Sequence, residues 1–207
     1  MKYKKYLLYI MLLSALFFAA CGNGTVGSNG TESTQGIEEN LETETEFVIE
    51  IVDSEDILRK TWSEYTNEDR FKIMGGHFTS PVVGLPAKYD LTQTTDLVQM
   101  YCFPETQLET IDDAATMIDL YNAGRFTAGV YHVASAESAA DVVEGIKNQV
   151  PANEWHGEKP EKLCIMKIDE QYIVSVYGRE ELVDQFQQKM KSVYKKMVEV
   201  VAEEKLF

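Results

Sequence analysis

From residue 47 onward, apolar positions recur with two periods, one of two residues and one of three to four, and the switches between them lay out the elements. Behind Ser54, a good capping residue, Ile57, Leu58, Thr61, Trp62 and Tyr65 fall at helical spacing. This predicts a first helix to about Asn67 with Trp62 in the core. Phe71, Ile73 and His77 alternate with Met74 and Phe78, a strand pattern over residues 71–79. Gly84 and Pro86 mark residues 81–89 as a loop, and Thr94 or Thr95 opens a short helix through Tyr101 that Pro104 closes.

The next stretch fits both periods. Ile111, Ala114, Ala115, Ile118 and Tyr121 share a helical face behind Thr110-x-x-Asp113, which resembles a capping box, so helix is the preferred reading. A strand competes, because Tyr121-Asn-Ala-Gly124 also suits a hairpin turn. Phe126 to Val133 alternates and reads as a strand, and a helix capped by Ser135 or Ser138 follows, with Pro151 just past its end. Leu163 to Ile168 and Tyr172 to Tyr177, separated by Asp169-Glu170-Gln171, read as a hairpin. From Glu180, a stripe of Leu182, Phe186, Met190, Val193, Tyr194, Met197 and Val201 predicts a long C-terminal helix of about 25 residues. The class is therefore α+β: an antiparallel or mixed sheet with helices packed mainly on one face, a relative of ferredoxin-like sandwiches.

Ahead of residue 47 the pattern differs in kind. Lys2, Lys4 and Lys5 precede a predominantly apolar run from Leu7 to Ala20, and Cys21 follows. Signal peptidases read a basic start, a short greasy core and small residues. Phe18-Ala19-Ala20-Cys21 looks like a bacterial lipobox, which implies cleavage between Ala20 and Cys21 and lipid attachment on the Cys21 sulfur. As a helix, Leu7 to Ala20 reaches about 21 Å against roughly 30 Å of hydrocarbon, which argues against an uncleaved membrane-spanning anchor. Two acyl chains would hold the mature protein at the outer face of the cell membrane, where one chain alone binds only marginally.

Gly22 to Glu46 is built from Gly, Ser, Thr, Asn and Glu with isolated apolar residues, too few to offset the entropy of ordering. The expected organisation is a lipoprotein signal peptide over 1–20, an acidic flexible tether over 21–53 and a single α+β domain over 54–207. The run Phe47 to Val52 suits either an edge strand or the end of the tether. Gly22, Gly24 and Gly27 spell a dinucleotide fingerprint without the flanking strand and helix that would make it one, so no cofactor is expected.

Charge narrows the partners. The chain carries 34 Asp and Glu against 19 Lys and Arg, a net charge of −15, with no basic run outside the signal segment. Nucleic-acid affinity requires a basic footprint, so DNA and RNA are discounted. Solubility accounts for such a balance, as does a basic peptide, protein or cation as partner.

Catalytic signals are sparse. His77, His132 and His156 form no ligand spacing, and no metal site is expected. Cys102 and Cys164 lack the C-x-x-C spacing of redox thiols and read as buried packing residues, with a bridge as the alternative. A hydrolase whose Ser-His-Asp set assembles in space leaves no pattern, and it stands as the alternative to a non-enzymatic reading. Trp155 and His156, in the polar stretch 152–160, are the candidate partner contact, with Trp155 either lidding the core or facing a partner.

Three segments carry a resemblance: Asp113-Ala-Ala-Thr-Met-Ile-Asp-Leu-Tyr-Asn-Ala-Gly-Arg-Phe-Thr-Ala-Gly-Val-Tyr131, Trp155-His-Gly-Glu-Lys-Pro-Glu-Lys-Leu163 and Tyr172-Ile-Val-Ser-Val-Tyr-Gly178. They resemble small lipoproteins of clostridia-type Gram-positive bacteria that carry a domain of unknown function, some labelled bacteriocin transport accessory proteins. A Cys-Gly commonly follows the Trp in that family, where this chain has His156-Gly157, so no cysteine role carries over. Together these features point to a membrane-anchored, extracytoplasmic, non-enzymatic binding or accessory module of the cell envelope. Its partners would be the membrane, through the lipid, and an envelope protein or peptide. A structural protein that self-associates is a further reading.

Overall fold

The computed structural model describes residues 49–207. Ala20, Cys21 and most of the expected tether lie outside them.

Helix α1 spans Ser54–Ser63 and is capped one residue earlier than expected, by Asp53, whose side chain accepts from the Asp56 N–H at 2.8 Å. Residues 49–53, expected within the tether, pack on the domain. Ile49 and Ile51 lie against the core, and Lys60 Nζ donates to the Glu50 carbonyl at 2.7 Å. Short strands β1 (Ile73–Gly75), β2 (Val82–Val83) and β3 (Ala87–Lys88) then form one end of the sheet, so the expected 71–79 strand is shorter and the expected loop contains two strands. Helix α2 is Thr95–Gln99. The long strands are β4 (Ile111–Asp119), β5 (Phe126–Val133), β6 (Lys162–Ile168), β7 (Tyr172–Gly178) and β8 (Val198–Lys205), with α3 (Ala139–Ala152) and α4 (Glu180–Tyr194) between them.

All pairings are antiparallel, in the order β2-β1-β4-β5-β7-β6-β8 with β3 beside β4. The α+β class and the antiparallel sheet are as expected, and the helix placement is not. One core joins α1 and α4 to Phe126, Ala128, Val130, Cys164, Met166 and Val176, whereas a second joins α2 and α3 to Tyr131, Val133, Leu163, Ile165 and Tyr177. Helices therefore cover both faces. The connections explain why. β5 and β6 run parallel on either side of β7, as do β7 and β8 on either side of β6, so β5-α3-β6 and β7-α4-β8 are both crossovers. β4 occupies the outer edge of β5, so β8 docks on β6, and the two crossovers step the same way from oppositely directed strands. Right-handed connections then place α3 and α4 on opposite faces.

Residues 111–119 form a strand, not the preferred helix. A bulge at Asp112 puts Ile111 and Ala114 on one face, imitating a helical i, i+3 step. Beyond it, Ala114 to Asp119 are all buried because both faces are covered, which erases the period-two signal.

The C-terminal helix is shorter than expected. It ends at Tyr194, and after a 3-10 turn at Lys195–Met197 the chain becomes β8. Leu182, Phe186, Met190 and Tyr194 keep the expected stripe and Val183 is buried beside them, the aliphatic, Phe and Met side chains each worth about 1.5–3 kcal/mol on burial. Past Tyr194, the outer edge of β6 offers unpaired backbone groups, and β-branched Val198, Val200 and Val201 suit a strand. Lys162 fastens this edge: its buried ammonium meets Asp184 of α4 at 2.6 Å and Glu203 of β8 at 2.7 Å. Burial works against that charge, but the two carboxylates outweigh it and raise the lysine pKa.

Candidate functional site

The last turn of α3 contains Pro151, and the loop beyond it turns back across the second core. Trp155 anchors this return. Its indole N–H donates to the Val150 carbonyl at 3.1 Å, capping the helix end, and its ring meets Tyr177 edge-on at 5.4 Å. The Tyr177 hydroxyl in turn donates to the Met100 carbonyl at 3.0 Å, tying the end of α2 to the same wall. Trp155 is thus half-buried, packed on the core by one part and open to solvent by another.

The open part faces a cleft of about 300 Å³ lined by Gln99, Met100, Ala123, Gly124 and residues 153–156. Three segments distant in sequence build it: the end of α2, the β4–β5 turn and the loop after α3. Their approach depends on glycine. A Cβ on Gly124 would lie 1.7 Å from the Glu158 carbonyl oxygen, and Gly157, at φ +103°, would meet the Asn122 amide at 2.7 Å. Behind the loop, Glu158 pairs with Arg179, which holds its carboxyl below the usual range, and the Arg179 N–H donates to the Arg125 carbonyl at 2.9 Å.

Trp155 and His156 are therefore brought together in one cleft wall, with His156 exposed. The other histidines lie elsewhere. His132 is half-buried, hydrogen-bonded to Asp112 and packed on Tyr172 at 4.7 Å. His77 stacks on Tyr89, and its Nδ1 has both Thr79 Oγ1 at 2.7 Å and the Asp96 carboxylate at 3.5 Å. A hydrolytic triad sets hydroxyl and acid on opposite ring nitrogens, so this group is not one.

The thiols are buried and unbridged, Cys102 in one core and Cys164 in the other. Burial pushes both up to about 11, well away from a nucleophilic thiolate. Among the described residues, no group of three or more His, Cys, Asp or Glu side chains is placed to hold a metal, and no helix is long and apolar enough to cross a membrane. The expected pair Trp155 and His156 omits Gln99 and Met100, which carry no local motif, and Ala123 and Gly124, whose turn signal speaks of chain reversal and not of a site. No family model, no curated protein and no solved structure matches this chain.

Proposed function

We propose that this chain is a lipoprotein, anchored through Cys21 at the outer face of the cell membrane, whose domain is a non-enzymatic binding or accessory module of the envelope. Its contact surface is the cleft at Trp155 and His156. The observation that carries the reading is the double role of Trp155, which caps and lids the domain with part of its surface while leaving the rest in an open cleft. That lining pairs an aromatic wall with free amide, carboxylate and imidazole groups. Among the described residues the lining is thus an aromatic wall with a few convergent polar groups, the general make-up of a small binding site. The lipobox-like front end and the resemblance to clostridial lipoproteins support the address.

Photo-crosslinking in native cells tests the proposal. A crosslinking amino acid at position 156 should trap a partner that the same group at position 144, on the exposed side of α3, does not. The same product from both positions, or none from 156, would count against the cleft as the contact surface.

A further inference from the structure

The cleft has an electrostatic preference, and this inference rests on its being the binding site. The carbonyl end of α3, a helix of 14 residues, opens on the wall formed by residues 153–156, and the shorter α2 ends at Gln99 in the facing wall. Helix C-termini carry partial negative charge that a basic residue in the last turn ordinarily offsets. α1 has Lys60 there and α4 has Lys191, but α2 and α3 have none. Both ends meet at the cleft, where the Trp155 indole N–H on the Val150 carbonyl and the Tyr177 hydroxyl on the Met100 carbonyl are neutral donors that bring no positive charge.

The side chains add to this field. Glu154 stands exposed on the rim and, among the described residues, pairs with no Lys or Arg. The side-chain amides of Gln99 and Asn153 offer carbonyl acceptors, and among the described residues no lysine or arginine lines the cleft. Trp155 is only half-buried, so part of its ring remains for a cation, for which indole is the best aromatic partner. The acidity of the whole chain, −15, draws cations toward it.

We infer that the cleft beside Trp155 binds an organic cation, an ammonium or guanidinium group. Its bearer is either a basic residue of a peptide or a free amine. The volume of about 300 Å³ suits one such group rather than a long ligand.

Nuclear magnetic resonance titration of the full chain in detergent, following the Trp155 indole N–H, tests this with three probes: Nα-acetyl-arginine amide, its neutral isostere Nα-acetyl-citrulline amide, and agmatine. The arginine probe should shift the signal, with the citrulline probe at least tenfold weaker. Glu154→Gln should weaken the arginine probe about fivefold or more with no change in melting. Preference for the blocked arginine over agmatine assigns a peptide-borne cation, and the reverse assigns a free amine. Equal binding of the citrulline probe would overturn the inference and leave the cleft as a site. If no probe shifts the signal, and Trp155→Ala alters melting while the crosslink from position 156 persists, the cation inference alone fails. If that crosslink is also absent, both readings fail.

Discussion

One absent methyl group sets the width of the cleft. Gly124 lets the β4–β5 turn touch the backbone of Glu158, and a side chain there has no room that backbone movement would not have to make. Gly124→Ala should therefore cost about 1–3 kcal/mol, lower the melting temperature and displace the Trp155 loop. Thermal unfolding and the Trp155 indole resonance read the two effects together, and an unchanged resonance would show that the turn and loop are not in contact. Sequence reasoning could find Trp155 and His156 because a large aromatic in a polar stretch is itself a signal. It could not find Gln99, nor more of Gly124 than a turn residue, because their place in the cleft arises only from what folds against them. Cys102 and Cys164 were readable as packing residues, but their separation onto opposite faces, which rules out a bridge, depends on the register of β6.

At the scale of elements, the strands with one clear period were legible and those with mixed signals were not. β5, β6 and β7 fall where alternation or apolar runs put them. β4 was hidden by the bulge at Asp112 and by burial on both faces. The end of α4 was hidden because Val193, Met197 and Val201 keep helical spacing across a break that the side chains do not announce. The break is Lys195, at φ 50° and ψ −119°, the conformation of the first central residue of a type II′ turn, which favours glycine. Lys195→Gly should relieve this strain and stabilise the domain by about 1 kcal/mol, raising the melting temperature by roughly 2–4 °C. A helix continuing through residue 201 would instead be weakened by that glycine, so a lower melting temperature would contradict the turn.

At the scale of the whole molecule, the crossovers that put α3 and α4 on opposite faces leave the sheet with two unlike edges. One is short and apolar, where β2 exposes Val82 and Val83, and the other is β8, bordered by Glu199, Glu203, Glu204 and Lys205. The cleft sits at the end of α3 against the β4–β5 turn. The proposed role joins this cleft to a lipid on Cys21, and with it a place of work outside the cytoplasmic boundary is proposed as well. The mass of the N-terminal peptide of the protein taken from native cells tests that most directly. The account predicts a chain that begins at Cys21, carries a diacylglyceryl thioether and partitions with the membrane. An unmodified chain beginning at Met1 in the soluble cytosolic fraction would contradict it.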